Sequence, residues 1–339
     1  MSPEASPEPL GFALLGCGLM GGRHAEVLAR LEGAGFRCAF DTDRARLGEV
    51  CRRFGCRAAR SAEEAVADPS VGAVLVAAPS FLHAPMALLA AREGKHVLLE
   101  KPLANDAASG REVVARCAEA GVRLSVVSQK RFDPGALQLK AALDAGLLGR
   151  VFLAEVSINY YRDENYFRQA PWRASRAESG GGVLMNQGIH YTDLLLWYLG
   201  PVAGVRGAVS TVREGYQEED VAAALLELEC GALATLTAST VTYPGFPETL
   251  ALYGSEGTCA IAEGKGVLRW EHRGKAPLPE PPAGPALPEG LPPKLHSMYR
   301  NHRDFLGAIR EGRDPLVRPE EALAVVALIE KLYVDARAR

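Results

Sequence analysis

The sequence contains no uninterrupted apolar run that approaches the length of a membrane span, and no block of like charges. Its formal net charge is −3, from 38 basic and 41 acidic residues that are scattered among one another. This balance gives no indication of a nucleic-acid partner. Residues 1–9 are polar and proline-rich and lack the pattern of a signal peptide. We therefore expect a cytoplasmic protein with no membrane partner.

The sequence also lacks a CxxC pair, although it contains seven cysteines. Cys51 and Cys56 are closest along the chain, but no cluster of His or Cys accompanies them. We therefore expect neither a zinc site nor another bound metal. An odd number of cysteines, several of them within apolar runs, is typical of buried thiols in a reducing compartment.

The length of the chain predicts two domains, since 339 residues exceed what one hydrophobic core usually serves. From Gly11–Leu15 to Val122–Val127, short apolar runs alternate with helical patterns, which predicts a parallel sheet with helices on both faces. From Val151–Tyr160 to Thr258–Ala262, longer runs alternate in polarity, which predicts a large, mostly antiparallel sheet with one open face. The fold class is therefore α/β.

We place the domain boundary between residues 1–127 and residues 128–339. A helix over roughly Val183–Tyr198 precedes most of the later strands, and the proline-rich stretch Ala276–Pro293 is predicted to be an irregular loop. Two C-terminal helices close the second domain and could pack back on the first.

Residues 16–21 read GCGLMG and follow the first apolar strand directly. In this context a GxGxxG segment predicts a dinucleotide-binding turn. The first glycine permits a tight turn, the second lets main chain approach the pyrophosphate, and the third allows the helix to pack on the strand. The N-terminus of the following helix would then bind the phosphates. The expected cofactor contacts here are Gly16, Gly18, Leu19, Met20, Gly21, Asp41 and Arg44.

Asp41 ends the next apolar run, where a carboxylate can bind the ribose hydroxyls of NAD. It would repel a 2′-phosphate, so it favours NAD over NADP. Arg44 lies nearby in the sequence and keeps NADP open as an alternative.

Lys101 stands between Glu100 and Pro102, directly after the short apolar run His96–Leu99 that we predict to be a strand. Ligands of open α/β sheets bind beyond this edge, and a lysine there can stabilise charge on a substrate oxygen during hydride transfer. Pro102 would fix the turn, through a cis peptide bond if one is present. The alternative is a surface lysine at a strand end.

Three glycines, 180–182, lead into the predicted helix that carries Asn186 and His190. These two residues lie one helical turn apart on the same face, and Asp193 follows one turn later. Histidine is suited to proton transfer near neutral pH. A histidine that serves only packing is the alternative.

These motifs together resemble the Gfo/Idh/MocA family of oxidoreductases, and the resemblance covers nearly the whole chain. It rests on GCGLMG, PSFLH at 79–83, GKHVLLEKPLA at 94–104, QKRFDP at 129–134, GGGVLMNQGIHYTDLLLWYLG at 180–200 and GSEGT at 254–258. The resemblance implies a Rossmann domain followed by an α/β domain whose open sheet forms a homodimer or homotetramer. It also implies that the EKP lysine, Lys101, and the helix histidine, His190, are catalytic. Further expected cofactor contacts are Ala78, Pro79, His83, Glu100, Lys101 and Gln129.

The chain departs from the family at Asn186, where many members carry Asp. An amide cannot accept a proton at neutral pH, so Asn186 can only orient the substrate, and His190 remains as the base. The segment 160–173 is rich in tyrosine, tryptophan and arginine, which can stack on a sugar ring or bind an anion. Packing of this loop, or a subunit contact, is the alternative. The expected substrate contacts are Tyr161, Trp172, Arg173, Asn186 and Asp193.

The sequence thus predicts an NAD(P)-dependent dehydrogenase that transfers a hydride between the nicotinamide and a hydroxyl-bearing carbon of a sugar or polyol. Two other functions remain open at this point. One is an NAD-dependent glycosidase that acts by transient oxidation and elimination. The other is a dinucleotide sensor without catalytic activity.

Overall fold

The chain forms two compact units in a computed structural model that describes residues 8–338. The first extends to Leu103 and includes 109–127 and 285–319, and the second comprises 104–108, 128–284 and the chain from Glu320 onward. Residues 285–319, which the sequence assigned to the second domain, therefore group with the first unit. Most of the proline-rich start, where no signal peptide is expected, lies outside the described residues. Within residues 8–338, no helix is long and apolar enough to cross a membrane.

The first unit contains a sheet of six parallel strands in the order β3-β2-β1-β4-β5-β6. The strands are β1 (Leu10–Leu15), β2 (Ala34–Phe40), β3 (Arg57–Ala58), β4 (Ala73–Val76), β5 (His96–Leu99) and β6 (Leu124–Val126). The helices, numbered along the chain, are α1 (Leu19–Leu28), α2 (Arg44–Phe54), α3 (Ala62–Ala67), α4 (His83–Arg92), α5 (Ala107–Glu119) and α10 (His296–Glu311). This is the doubly wound parallel sheet that the sequence predicts.

Burial explains why these segments form the sheet and why α10 belongs to this unit. All four residues of β4 are buried, as expected for a strand covered by helices on both faces. Phe12 of β1 and Leu98 of β5 share one apolar cluster with Tyr299 and Phe305 of α10. The α10 helix therefore fills the core of the first unit, although it comes late in the chain.

The second unit contains a seven-stranded sheet in the order β13-β12-β11-β7-β10-β9-β8. Only the β10–β7 pair is parallel, so the sheet is mostly antiparallel, as predicted. The strands are β7 (Val151–Asn159), β8 (Val202–Ser210), β9 (Val221–Leu228), β10 (Leu233–Ser239), β11 (Thr249–Gly254), β12 (Gly257–Ala262) and β13 (Gly266–His272).

Strand register divides this sheet into a buried face and an exposed face. Ala224, Leu236 and Val156 are aligned across β9, β10 and β7, and all three are buried. The adjacent row contains Leu225 and Thr235, which lie on the opposite face because successive side chains alternate. The alternating polarity of these strands therefore corresponds to a sheet with one covered side.

The helices of the second unit are α6 (Pro134–Asp144), α7 (Glu164–Arg168), α8 (Arg176–Ser179), α9 (Ile189–Leu199) and α11 (Pro319–Arg337). The helix predicted over Val183–Tyr198 instead begins with a π-helical turn, Leu184–Gly188, before α9. Residues 276–292 are irregular, as predicted. The sequence analysis did not identify β3, α3, α6 or β13.

Close main-chain packing explains the three glycines that precede the π-helical turn. Gly180 has a φ of +75°, which side chains rarely adopt. A Cβ on Gly181 would lie 2.2 Å from the Tyr333 hydroxyl oxygen, and one on Gly182 would lie 1.9 Å from the Glu219 carbonyl oxygen. These residues are glycines because no larger side chain fits between the approaching segments.

We expect Gly182→Ala to lower the free energy of unfolding by about 1–3 kcal/mol, because the added methyl group overlaps main chain. Gly48→Ala is the control, because a Cβ there meets nothing within 4 Å and the residue lies inside α2. That change should stabilise by up to about 1 kcal/mol. Calorimetric melting of both proteins measures the difference. An unchanged melting temperature for Gly182→Ala would contradict the packing argument.

Candidate functional site

The turn between β1 and α1 brings main-chain segments unusually close together. Gly16 has a φ of +100°, and a Cβ there would lie 2.6 Å from the Ala77 carbonyl oxygen after β4. A Cβ on Gly21 would lie 2.0 Å from the Gly16 carbonyl oxygen. These two glycines therefore have the roles expected for the first and third glycines of a dinucleotide-binding turn.

The middle of the same turn is open. A Cβ built on Gly18 would meet nothing within 4 Å, and Gly18 caps α1 without any side-chain hydrogen bond. Leu19, the first residue of α1, is exposed. The helix N-terminus, with its partial positive charge, thus faces open space where a pyrophosphate could bind. The turn fits NAD on these grounds.

Asp41 is held beside this turn at the end of β2. Its Oδ2 accepts a hydrogen bond from the Cys17 amide at 2.6 Å, and its Oδ1 accepts one from the Asp43 amide at 2.7 Å. The carboxylate is therefore fixed next to the glycines, as a ribose ligand must be. Arg44 donates to the carbonyl oxygens of Ala59 and Arg60, at 3.5 and 3.3 Å, which directs its guanidinium toward that loop.

His83 follows Ala78 and Pro79 beyond the end of β4, but it is buried rather than exposed to a ligand. Its Nδ1 lies 2.7 Å from the Pro102 carbonyl oxygen, and its Nε2 lies 3.0 Å from the Ala78 carbonyl oxygen. Burial lowers the pKa of His83, and its contacts with the two carbonyl oxygens oppose that shift. The structure thus indicates that His83 links the turns after β4 and β5, instead of making the expected cofactor contact.

Glu100 and Lys101 follow β5. Glu100 is buried, and its carboxylate contacts His24 and the Lys101 amide. Both carboxylate oxygens of Glu100 thus have protein partners, and its expected contact with the cofactor stays a prediction. The Lys101–Pro102 peptide bond is cis.

Asn186 and His190 lie on either side of the junction between the π-helical turn and α9. A π-helical turn inside a helix shifts the faces of the residues that follow, and such turns occur frequently at functional sites. Both side chains are partly exposed. The sequence predicted a regular helix here, so it missed this local change in geometry.

Asp193 is buried in an ion pair. Its two carboxylate oxygens accept hydrogen bonds of 2.6 and 2.8 Å from Arg131, which also contacts Glu321. A buried guanidinium requires such partners because its desolvation is costly. Asp193 is therefore the counter-ion of Arg131 and not the substrate contact that we expected.

Gln129, another expected cofactor contact, begins the short 3₁₀ helix Gln129–Phe132 of the second unit. Its side-chain carbonyl oxygen is buried and has no hydrogen-bond partner among the described residues. An unpaired buried acceptor is costly, so this position can accept a hydrogen bond from a ligand or from water.

The segment 160–173 forms alternating layers of aromatic rings and guanidinium groups. The Arg173 guanidinium lies 4.2 Å from the Tyr166 ring centroid, and Arg173 also donates to the Tyr166 carbonyl oxygen at 3.2 Å. The Arg173 guanidinium also lies 5.5 Å from the Trp172 ring centroid, so both side chains take part in the packing of this segment, and their contact with substrate stays a prediction. Tyr161 remains exposed and packs edge-to-face against exposed Tyr243.

A pocket of about 430 Å³ opens within the second unit beside this segment. Its lining carries three guanidinium groups and two carboxylates, and consists of Tyr161, Arg162, Asp163, Glu164, Asn165, Arg168 and Arg213. Such a lining suits a polar ligand rather than an apolar one.

The sequence analysis missed Glu219 and Tyr333, which support the helix that carries His190. Glu219 accepts hydrogen bonds from the amides of Gly182 and Leu184, at 2.9 and 3.1 Å, and from the Tyr333 hydroxyl group at 2.7 Å. Burial raises the pKa of Glu219, although these hydrogen bonds oppose the shift. Both residues lie far along the chain from the glycine run, so no local signal could have identified them.

Comparison with known proteins extends this description. A family model described as an oxidoreductase family with an NAD-binding Rossmann fold matches residues 10–128. A second, described as the GFO/IDH/MocA C-terminal domain, matches residues 136–260. Together the two matches cover most of the chain, including the whole first sheet and the second sheet except β13 and the end of β12.

Among curated relatives, the chain is 28% identical to a D-apiose dehydrogenase of Paraburkholderia graminis, over 96% of this chain and 87% of the relative. It is also 28% identical to a scyllo-inositol 2-dehydrogenase (NAD(+)) of Bacillus subtilis, over 77% of this chain and 75% of the relative. Each relative is a dehydrogenase by name.

Among solved structures, the chain resembles the WlbA dehydrogenase from Bordetella pertussis in complex with NADH and UDP-GlcNAcA. The TM-score is 0.86 at 29% identity, over 97% of both chains. The fold, the NAD-binding turn and the two family matches agree, and the chain belongs to the Gfo/Idh/MocA family of NAD-dependent oxidoreductases.

Proposed function

We propose that the protein oxidises a hydroxyl-bearing carbon of a sugar or polyol, with NAD as the hydride acceptor, and that it also catalyses the reverse reduction. The observation that carries this proposal is the open, uncapped start of α1 beside the fixed Asp41 carboxylate. The substrate class is supported by the names of the relatives, which act on apiose and inositol.

The two units divide this work in our proposal. The first holds the dinucleotide through its glycine turn, Asp41 and the residues after β4 and β5. The second binds the substrate and carries His190. Asp41 favours NAD over NADP by charge, and Arg44 is directed toward main-chain carbonyl oxygens, which supports the same preference.

Lys101, His190 and Asn186 are the proposed catalytic residues. Bound NAD would supply the two-electron acceptor for the hydride. His190 takes the proton of the substrate hydroxyl group, because an imidazole accepts protons near neutral pH. The Lys101 ammonium group stabilises the negative charge that develops on that oxygen, and the Asn186 amide orients it by hydrogen bonding.

The second unit offers a place for polar substituents of the substrate. The pocket beside Tyr161 carries more guanidinium groups than carboxylates, and a structural relative is described with UDP-GlcNAcA bound. We propose that an anionic or heavily hydroxylated part of the sugar binds near Arg162 and Arg168, with exposed Tyr161 beside it. Inositols, apiose and nucleotide sugars are therefore the substrates to test first.

We also propose that the chain forms a homodimer or homotetramer through the open face of the seven-stranded sheet. This face exposes apolar side chains, including Leu225 at 39% and Leu233 at 46%. Association would remove this area from water.

We also propose that the protein acts in the cytoplasm. Five of its seven cysteines, Cys17, Cys38, Cys56, Cys117 and Cys259, are buried. Buried cysteines that serve as small apolar side chains are typical of proteins in a reducing compartment.

We expect Lys101→Ala and His190→Ala each to lower kcat by about 10²–10⁴-fold, because each removes charge stabilisation or proton transfer in the transition state. The assay is absorbance of NADH with a panel of inositols, D-apiose and nucleotide sugars. Lys265→Ala, at an exposed turn between β12 and β13, and His272→Ala, on β13, should keep the wild-type rate. If either variant kept the wild-type kcat, the residue changed in it would not have the catalytic role proposed here.

We expect Leu225→Arg to dissociate the oligomer, because it places a charge within the exposed apolar face. Light scattering after size exclusion measures the mass of the particle. Val212→Arg is the control, since Val212 is also solvent-exposed, at 66%, but lies outside the strands. An unchanged mass for Leu225→Arg, or a monomeric wild-type protein, would contradict an interface at this face.

A further inference from the structure

Three side chains form a buried hydrogen-bonded chain in the first unit, directly behind Lys101. His24 of α1 is 0% exposed, His302 of α10 is 1% exposed and Glu100 after β5 is 6% exposed. The His24 Nδ1 lies 3.0 Å from the His302 Nε2, and the His24 Nε2 lies 2.8 Å from the Glu100 Oε1. Each contact has the length of a hydrogen bond, so each must hold one proton.

The contact between His302 and Met298, at one end of this series of hydrogen bonds, fixes the tautomer of His302. Its Nδ1 lies 2.8 Å from the Met298 carbonyl oxygen, which can only accept a hydrogen bond. The proton of His302 is therefore on Nδ1. Burial and the neighbouring His24 lower the pKa of His302 to about 3, so the ring is neutral and its Nε2 is an acceptor.

The positions of the protons on His24 and Glu100 can then be assigned. Because the His302 Nε2 accepts, the His24 Nδ1 must carry a proton and donate it. A neutral His24 would then have a bare Nε2, which would face the Glu100 Oε1 at 2.8 Å. Two bare acceptors repel each other, so His24 and Glu100 together hold one proton more than a neutral imidazole and a carboxylate would hold.

The other oxygen of Glu100 indicates which partner holds this proton. The Glu100 Oε2 accepts a hydrogen bond from the Lys101 amide at 3.1 Å, and acceptance is stronger for a carboxylate than for an acid. Glutamic acid is also more acidic than imidazolium by about two pH units in its ordinary state. The proton therefore belongs on His24, where the imidazolium and carboxylate form the paired charges that burial requires.

We propose that His24 is an imidazolium paired with the Glu100 carboxylate, and that His24 and His302 are positioning residues for the main chain of Lys101. This inference rests on the proposed catalytic function of Lys101 only for its effect on activity. The His302 Nε2 accepts the hydrogen bond of the His24 Nδ1, His24 orients Glu100, and Glu100 holds the amide of Lys101. The chain of contacts thus joins α10, α1 and the end of β5.

Buried His83 is a further titratable group close to these three side chains. Glu100 and Lys101 act in opposite directions on buried His83, which bridges the carbonyl oxygens of Ala78 and Pro102. His83 and Glu100 therefore hold the turn after β5 from two sides, one through the Pro102 carbonyl and one through the Lys101 amide. A change in Glu100 leaves the His83 contacts available to keep the turn folded.

The protonation states can be measured directly by nitrogen NMR of the histidine rings. From these contacts we expect both ring nitrogens of His24 to be protonated in the folded protein. We expect only the Nδ1 of His302 to be protonated. A bare nitrogen on His24, or a proton on the His302 Nε2, would overturn the inference without reference to any activity.

Glu100→Gln tests the charge while preserving the shape. The glutamine amide can donate to the His24 Nε2 and accept from the Lys101 amide, so the variant should fold, and His24 should lose one ring proton. Glu93→Gln, an exposed change in the same unit, should leave the His24 ring doubly protonated. A doubly protonated His24 in Glu100→Gln would show that Glu100 does not hold the charge.

The effect on activity separates positioning from simple packing. We expect Glu100→Gln to lower kcat at least tenfold with the NADH dissociation constant changed less than threefold, since the glycine turn and Asp41 are intact. Equal losses in kcat and in NADH binding would contradict a positioning role. If Lys101→Ala kept full activity, the proposed function would fail, while the NMR result would still stand or fall by itself.

Discussion

The close approach of main-chain segments at two glycine turns is the constraint on which the functional parts of this structure depend. At Gly16 and Gly21, a side chain would collide with main chain that follows β4 or with the turn itself. At Gly182, a side chain would collide with the Glu219 carbonyl oxygen. The first approach leaves the N-terminus of α1 open for a phosphate, and the second sets the helix that carries His190. In both units, the course of the main chain is therefore set at positions where no Cβ fits.

Buried pairs of charged side chains further restrict the positions of the strands and helices near the candidate site. Arg131 is paired with Asp193 inside the second unit, and Glu100 is paired with His24 inside the first. Such groups contribute little net stability, since pairing mainly offsets the cost of removing charge from water. Their structural effect is to orient the segments that carry them, because each partner accepts only a narrow range of positions. The end of β5 and the start of α9 are held in place in this way.

Much of the fold could be predicted from the sequence, because strand and helix periodicity are local signals. The predicted strand Gly11–Leu15 differs from β1 by one residue, and both sheets have the predicted character. The short β3 and α3 were missed because two or six residues give too little periodicity. The π-helical turn was missed because its residues have the same composition as an α-helix.

The site was harder to predict, because several residues act through partners that are distant in the sequence. The motifs identified Gly16, Gly18 and Asp41, whose contacts are local or follow the strand order. The same motifs assigned ligand contacts to His83, Glu100 and Asp193, which the structure shows to be buried and bound to protein groups. Their partners, such as His24 for Glu100 and Arg131 for Asp193, have no fixed spacing in the sequence. Only the folded chain shows that these polar residues are held by other protein groups.

The central claim is that a hydride passes from a sugar or polyol carbon to NAD on this protein. The most direct measurement is label transfer from carbon-deuterated inositols or sugars, followed by mass spectrometry of the nicotinamide. The account predicts one deuterium in the NADH and a matching carbonyl product in equal amount. Absence of label in the cofactor across the substrate panel, or cleavage of a glycoside without net NADH, would contradict it.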